Sequence, residues 1–405
     1  MEIRRLAGRA KWLLYKAGIV PAYRALTPPQ LPGLRLTPKR LLNYWLVTYQ
    51  RSRGHTKLRG RPLYLTFEAT NVCNLHCPYC FTGIGDAGRE RSMMSLDTYQ
   101  RLLDELGDYA LQIDFYNWGE PLLNKNIYEM IRLASAKGLS TVISTNFSVP
   151  FDAERAEKLV QSGLAALGAG VDGASQETLE QYRVGAKFDK VIENLRLLVE
   201  AKQRLGSKTP VICWSFHVFD HNKHEIEQAR AMAQELGIDF AATKGWVAGE
   251  EQSPDSGYHF PVDTGPQAAR CKYLWTYAIV NNDGKVAPCA AAFYEEDDFG
   301  SAAEGAFRRA WNNETFQEAR KLFASRADAS ARGRQLICYE CPYTTVWEDY
   351  QRHRAQGGTK ASFHTDKTTN DWFNYFFERR RPSVVTTPPP DAIGLEPVDT
   401  PATRR

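Results

Sequence analysis

The sequence predicts an α/β protein: a partial (β/α)6 TIM-like barrel with a helical N-terminal extension and a small C-terminal module. Three observations support this prediction. The chain of 405 residues is longer than one average domain. Six strand-like runs are each separated by a helix-length segment, which favours parallel pairing. Eight cysteines lie in clusters instead of being scattered along the chain.

Strand-like runs and amphipathic helical patterns alternate from residue 62 onward. The predicted strands cover 62–68, 111–116, 140–145, 165–171, 210–217 and 238–243. The predicted helices cover 96–106, 125–137, 152–162, 188–205 and 223–236. Six units are too few for a full eight-unit barrel, so we expect a partial barrel or an open arc.

Breaks in these patterns divide the chain into four regions. Residues 1–60 form a basic helical extension, 61–250 the barrel, 251–345 the cysteine-bearing module and 346–405 a C-terminal segment. The extension contains two predicted helices, and the Thr37-Pro38 pair marks the start of the second. The apolar side of that second helix comprises Leu41, Leu42, Trp45, Leu46 and Tyr49. A Pro- and Thr-rich composition predicts disorder from about residue 382.

Charge is distributed unevenly along the chain. Residues 1–60 carry 13 Lys and Arg against one acid, Glu2, whereas the remainder carries 38 Lys and Arg against 46 Asp and Glu. An acidic body makes nucleic acid an unexpected partner. For the basic arm three interpretations stand: peripheral contact with an anionic membrane, packing over the open side of the barrel, and binding of an acidic partner.

Composition and the N-terminus bear on location. Hydrophobic residues at 43% and charged residues at 24% are typical of a soluble globular protein. No apolar run reaches the roughly 18 residues of a membrane-spanning helix, and no cleavage site follows the basic start. We therefore expect a cytoplasmic protein, which the basic arm could bring to the inner face of the membrane.

The first cysteine group follows the first predicted strand. Cys73, Cys77 and Cys80 have the spacing C-x3-C-x2-C. Three thiolates suit a soft metal centre, and on a four-iron cluster they leave one iron open to bind another molecule. A zinc site would need a fourth ligand, for which His76 is the local candidate.

This spacing, with Tyr79 before the third cysteine and a partial barrel downstream, resembles the radical S-adenosylmethionine (radical SAM) superfamily. The resemblance implies a 4Fe-4S cluster whose open iron chelates S-adenosylmethionine. Reductive cleavage of S-adenosylmethionine then yields a deoxyadenosyl radical that abstracts hydrogen from an unactivated C–H bond. It also implies an electron donor such as flavodoxin or ferredoxin.

The same resemblance extends to residues expected to contact S-adenosylmethionine. Glu120, in the Gly-Glu segment after the second strand, matches the residue that binds the methionyl amine. Ser144 and Asn146, at the end of the third strand, match contacts to the ribose or carboxylate. Arg183 matches an arginine that pairs with the methionyl carboxylate. At strand ends, Asp172, His217 and Lys244 also face the expected active-site edge, and His217 and Lys244 are candidates for substrate contact.

The second cysteine group comprises Cys271, Cys289, Cys338 and Cys341. Four soft ligands close a tetrahedral site, for which zinc and an iron-sulfur cluster both remain open. An Asp-Gly turn between the first two ligands predicts a hairpin that brings them together. The stretch resembles the SPASM module of radical SAM enzymes, in its short one-cluster form known as twitch, which implies one auxiliary 4Fe-4S cluster. The eighth cysteine, Cys213, is expected to be a buried apolar thiol.

These observations predict a radical SAM oxidoreductase. The auxiliary spacing resembles that of a family member which oxidises an alcohol on an aminocyclitol, so a sugar-like or other small metabolite is the expected substrate. One alternative is a maturase acting on a ribosomal peptide. The other is a non-catalytic protein with two structural zinc sites.

Overall fold

The computed structural model describes residues 28–86, 88–245, 269–303, 305–359 and 362–363. The first predicted helix of the extension, most of the connector around residues 245–270 and the predicted disordered tail lie outside these ranges. Within them, no helix has the length and apolar character needed to cross a membrane.

In the described part of the chain, a nine-stranded sheet organises the fold. Its strands are β1 (Tyr64–Phe67), β2 (Gln112–Asp114), β3 (Ser140–Thr145), β4 (Ala166–Gly170), β5 (Val211–Val218), β6 (Asp239–Lys244), β7 (Tyr277–Val280), β8 (Lys285–Ala287) and β9 (Gly300–Ser301). The spatial order is β6-β5-β4-β3-β2-β1-β7-β8-β9. Strands β1 to β6 pair in sequence order and in parallel, which confirms the predicted arc.

One helix precedes β1, and further helices connect the strands of the arc. They are α1 (Pro38–Arg53), α2 (Leu96–Leu106), α3 (Ile127–Ala136), α4 (Ala153–Gln161), α5 (Gln176–Tyr182), α6 (Phe188–Arg204) and α7 (Ile226–Leu236). Side-chain caps begin several of them: Ser95 accepts from Thr98 N, and Asp152 from Arg155 N. One face of each helix packs on the sheet, whose outward side chains, such as Ile143, are fully buried.

The C-terminal module joins the sheet directly. Its helices are α8 (Tyr273–Thr276), α9 (Phe307–Trp311), α10 (Glu314–Lys321), α11 (Ala331–Gln335) and α12 (Pro342–Ala355). The predicted hairpin is confirmed as β7 and β8, with Gly284 at φ 82° in the turn. Strand β7 pairs in parallel with β1, from Tyr64 opposite Tyr277 to Phe67 opposite Val280. The hairpin therefore extends the barrel sheet.

Helix α1 begins as predicted, since Thr37 caps Arg40 N at 3.3 Å and Pro38 occupies the first turn. Its polar side, however, faces the protein. Arg40 is 1% exposed, and its guanidinium donates to four backbone carbonyls. These carbonyls belong to Arg35, Gly107, Lys137 and Gly138.

The predicted packing of the extension over the open side of the barrel is wrong for α1. Gly107 and Gly138 lie in the loops that enter β2 and β3, so α1 sits against the amino ends of the strands. The physical reason is hydrogen bonding: the guanidinium of Arg40 satisfies carbonyls that the ends of α2 and α3 leave without helical partners.

Candidate active site

The first cysteine loop leaves the carboxyl end of β1. Burial raises the pKa of Cys73 to about 12 and that of Cys77 to about 11, and the neighbouring thiols add to the rise in Cys73. Backbone N–H groups nevertheless point at the sulfurs, from Leu75 toward Cys73 and from Thr82 and Gly83 toward Cys80. Buried thiols with such donors suit thiolate ligation to a metal cluster, which deprotonates them.

Glu120 lies beside this loop. Its backbone N–H donates to Val72 O at 2.9 Å, which ties the Gly-Glu segment to the cysteine loop. Its carboxylate accepts from Leu122 N at 3.1 Å, Thr145 Oγ1 at 2.7 Å and Asn146 N at 2.8 Å. Burial raises the pKa of Glu120 to about 7, although these donors oppose the rise. The structure thus brings Glu120 and Asn146 together at the first site.

Ser144 and Asn146 occupy different environments at the end of β3. The Asn146 amide lies 3.7 Å from Cys73 Sγ and donates to Asn74 Oδ1 at 2.9 Å. Ser144 is exposed on the inner face of the sheet, opposite Gly168 of β4. Asn146 therefore contacts the cysteine loop, whereas Ser144 faces the barrel interior.

Asp172 links two of the other predicted residues. Its carboxylate accepts from Arg183 Nε at 2.6 Å and from His217 N at 2.6 Å, and the His217 ring Nδ1 lies 3.1 Å away. Burial by itself would raise the pKa of Asp172, but Arg183 and His217 hold it well below its ordinary value. The charge of Arg183 also acts on the Cys77 thiol. Arg183 thus lies between Asp172 and the first cysteine group, whereas Lys244, at the end of the edge strand β6, is exposed and takes no part in this network.

The four cysteines of the second group line one small cavity. Its walls also include Tyr273, Leu274, Pro288, Phe323, Tyr343 and Thr344. Burial raises the pKa of each thiol, and nearby thiols raise those of Cys289, Cys338 and Cys341 further. Backbone N–H groups point at three of the sulfurs, including those of Tyr343 and Thr344 at Cys341 in the first turn of α12. This closed set of soft donors fits a cluster held by four thiolates.

In neither cysteine group do the side chains lie close enough together to coordinate a single metal ion. Among the residues that the structure describes, no three His, Cys, Asp or Glu side chains lie close enough together to hold one metal ion. Cys213 stands apart from both groups, half-buried on β5.

An aromatic cluster, which we define as Phe81, Trp118, Phe293 and Tyr294, brings together the segments that follow Cys80 and Cys289. Phe81 follows Cys80 directly, and its ring stacks on Phe293 at 4.8 Å. Trp118 packs edge-on against both rings at 5.2 and 5.3 Å. Sequence reasoning missed this cluster, although an aromatic residue next to a ligand and another four residues after Cys289 were visible signals.

Glu68 was also missed. It directly follows β1, is fully buried, and accepts from Trp118 N at 3.1 Å, while its Oε2 has no hydrogen-bond partner in the structure. Burial raises the pKa of Glu68 to about 7. An acidic residue at the end of the predicted strand 62–68, just before the cysteine loop, was the available signal.

Comparisons with known proteins agree with this geometry. Residues 67–233 match the model of the radical SAM superfamily, and residues 271–342 match an iron-sulfur cluster-binding domain, SPASM. An AdoMet-dependent heme synthase of Methanosarcina barkeri is 27% identical over 181 residues, 44% of this chain and 49% of that protein. Mycofactocin maturase MftC of Mycolicibacterium smegmatis is 26% identical over 224 residues, 55% of this chain and 53% of that protein. The chain thus spans about half the length of these curated relatives.

Solved structures show the same fold. Streptococcus suis SuiB bound to S-adenosylmethionine has a TM-score of 0.53 at 15% identity, covering 76% of this chain and 79% of that one. These two families imply the cofactors: a 4Fe-4S cluster that works with S-adenosylmethionine, and an auxiliary iron-sulfur cluster in the C-terminal module. The thiol donors of both groups fit these cofactors, and the chain belongs to the radical SAM superfamily as an enzyme with a SPASM-type C-terminal domain.

Proposed function

We propose that this enzyme is an oxidoreductase that removes hydrogen from an unactivated C–H bond of a sugar-like or other small polar metabolite. When bound, the cofactors supply the acceptors for the hydrogen atom and for the second electron. The chain's own residues bind S-adenosylmethionine, orient the substrate and exclude water.

The inner face of the arc supports a small hydroxylated substrate. By register, Ser144, Gly168 and Cys213 lie side by side across β3 to β5, and Gly170 and Ser215 form the next row. The serines of these rows supply hydroxyl groups, and the glycines have no side chain, so a polar space remains on this inner face. Large apolar residues fill the outer face. In this proposal His217, held by Asp172 at the carboxyl end of β5, hydrogen-bonds a substrate hydroxyl.

For the binding of S-adenosylmethionine we propose the roles that the sequence predicts. Glu120 binds the methionyl amine, Asn146 and Ser144 contact the ribose or carboxylate, and Arg183 pairs with the carboxylate. Arg183 is already oriented by Asp172 through Nε, and its charge acts on the Cys77 thiol, so its guanidinium lies beside the cysteine loop.

The observation that carries the oxidoreductase proposal is the contact between the two segments that follow Cys80 and Cys289. Phe81 and Phe293 stack at 4.8 Å, and each lies a few residues from a cluster ligand. A cluster fully ligated by thiolates has no open iron for substrate, so electron transfer is the role left to it. Alcohol oxidation needs such an acceptor, because the substrate loses one hydrogen atom, one proton and one electron.

Product analysis tests this proposal. Anaerobically reconstituted enzyme, with reductant and S-adenosylmethionine, is offered aminocyclitols and amino sugars, and we expect a product two hydrogen atoms lighter. In a Cys338→Ala/Cys341→Ala variant, deoxyadenosine formation should persist while product formation stops. Wild-type turnover by a folded double variant would limit the second cluster to a structural role. Glu340→Ala is the matched control, since Glu340 lies between the two ligands in the chain and its side chain is exposed.

A second candidate is a peptide maturase. The match to mycofactocin maturase and one to a PqqA peptide cyclase of Rhodopseudomonas palustris, 34% identical over 106 residues, favour it. Deoxyadenosine released only in the presence of a peptide encoded near this gene, with a matching mass change in that peptide, would select this alternative.

A further inference from the structure

Three cationic side chains surround the first ligand of the second cysteine group, Cys271. Arg51, in the last turn of α1, donates through Nε and Nη2 to the carbonyl of Arg270, and the Nε–O distance is 3.1 Å. Arg270 donates from Nη1 to Ser52 O at 2.8 Å. Lys272 follows Cys271 in the chain, and the charge of Arg51 acts on both Arg270 and Lys272. The N-terminal extension therefore adds a cation to the two that flank this ligand.

The end of α1 is shaped for this contact. Gly54 follows the helix at φ 68°, and its N–H donates to Arg51 O at 3.1 Å. A Cβ at this glycine would lie 2.8 Å from Arg270 Nε. The missing side chain at position 54 thus lets Arg270 and Arg51 approach each other.

Arg51 is half-buried, and no carboxylate of the described residues balances its charge. Burial lowers the pKa of Arg51, and the groups that oppose this are Cys271, Tyr343 and Tyr277. Tyr343 is also a wall of the four-cysteine cavity. A guanidinium taken partly out of water needs a counter-charge, which thiols supply only after they have become thiolates. The charge of Arg51 thus matches the ligated state of the cavity.

The same cations act on the ligand. Burial raises the pKa of Cys271, while two backbone N–H groups and the charges of Arg51 and Lys272 oppose that rise. A four-iron cluster held by four thiolates is an anion, and reduction adds a further negative charge to it. Its potential depends on the net charge around it, so fixed cations beside it favour the reduced state.

We propose that Arg51, assisted by Lys272, raises the reduction potential of the auxiliary cluster and so makes the cluster a better electron acceptor. The cluster gains one electron from a donor that is oxidised by one electron, and no bond forms or breaks. Arg51 is a positioning residue in this proposal, because it acts through its charge on the ligand shell. The inference concerns the cluster and its surroundings, so it holds whatever the substrate is.

Potentiometric titration of the anaerobic holoenzyme with dithionite, followed by electron paramagnetic resonance of the reduced clusters, tests the proposal. Added S-adenosylmethionine identifies the signal of the first cluster, since only that cluster has an open iron. Arg51→Gln should decrease the equilibrium constant for one-electron reduction of the auxiliary cluster by about tenfold, which is a shift of about 59 mV to lower potential. Lys272→Gln should decrease it by about threefold, because Lys272 is exposed and its charge is screened by water.

Two controls accompany these variants. Arg53→Gln removes the same charge from an exposed position of α1 and should leave the potential unchanged. The first cluster is an internal control. Cys271 precedes β7, which starts opposite the first residue of β1, whereas the first cysteine loop follows the last residue of β1. The potential of the first cluster should therefore change much less.

Three results would overturn the proposal. One is an unchanged auxiliary potential in Arg51→Gln at full iron and sulfide content. Another is an equal shift in Arg51→Lys and Arg51→Gln, because lysine keeps the charge and loses the two-pronged hydrogen bond, so that hydrogen bonding would be the cause. If Arg51→Gln does not retain the cluster, Lys272→Gln decides in its place, and an unchanged potential in that variant is the third.

Discussion

Arg89 and Asp298 form a two-pronged ion pair between the barrel and the C-terminal module. Nη1 of Arg89 lies 3.0 Å from Oδ2 of Asp298, and Nη2 lies 3.1 Å from Oδ1. Their side chains are only 2% and 5% exposed, and Asp283 adds a third carboxylate contact at 3.3 Å. Each charge depends on the other, because neither reaches water.

Replacing Arg89 with Ala should therefore destabilise the protein. It leaves the Asp298 carboxylate buried and uncompensated, at a cost of about 3–5 kcal/mol in the free energy of unfolding. Urea denaturation monitors this change. Arg132→Ala is the matched control, since the Arg132–Glu129 pair is half exposed and should cost under about 1 kcal/mol. Equal effects of the two substitutions would contradict the role given to burial.

The iron content follows from the two cysteine groups. We expect about eight irons and eight sulfides per chain, since each group holds a four-iron cluster. Replacing Cys73, Cys77 and Cys80 with Ala should halve the iron, measured by elemental analysis, and abolish reductive cleavage of S-adenosylmethionine. Stoichiometric zinc in anaerobically prepared protein would contradict the assignment of both sites.

Glu120→Ala should weaken binding of S-adenosylmethionine by about tenfold to a hundredfold, because an ammonium group loses a charge-assisted acceptor worth about 1.5–3 kcal/mol. Equilibrium dialysis measures the dissociation constant. Glu120→Gln is the better control for folding, since its amide oxygen can still accept from Thr145 and Leu122 N. With a pKa of about 7, Glu120 in the wild type must also lose a proton, so affinity should increase as pH rises through 7. Unchanged affinity in both variants would rule out the contact.

Glu68 predicts a pH dependence of stability. Its folded pKa of about 7 lies above the ordinary 4.5, so the folded state binds the extra proton and stability is lost as pH rises through this window. Glu68→Gln cannot ionise and should raise the free energy of unfolding at about pH 8 by at most about 3 kcal/mol, and by much less at about pH 5. Thermal unfolding at the two pH values tests this. The exposed Glu235→Gln should change neither value, and a gain at low pH alone would contradict the argument.

Sequence patterns predicted the arc well because they are local. Strand β3 and helix α2 match their predicted bounds, and both have regular periodicity and clear ends. The seven-residue α5 was missed, since two turns are too short for a periodic signal.

Long-range relationships could not be predicted in this way. The pairing of β7 with β1 joins distant parts of the chain, and no local pattern encodes parallel partners. The orientation of α1 depends on carbonyls around Arg40 that lie in the loops after two other helices. The cysteine spacing predicted that Cys271, Cys289, Cys338 and Cys341 come together, and they line one cavity, but the stacking of Phe81 on Phe293 required the folded chain.

The parallel pairing of β1 with β7 also constrains the order of events during synthesis. Strand β1 is made early, yet its second neighbour, β7, is made only after all the other strands of the arc. Until then β1 has an unpaired edge, and the cysteine loop after it lacks the contact from Asn282 to Asn71. A chain truncated before residue 277 would therefore have an aggregation-prone edge at β1, beside a cysteine loop that lacks this contact.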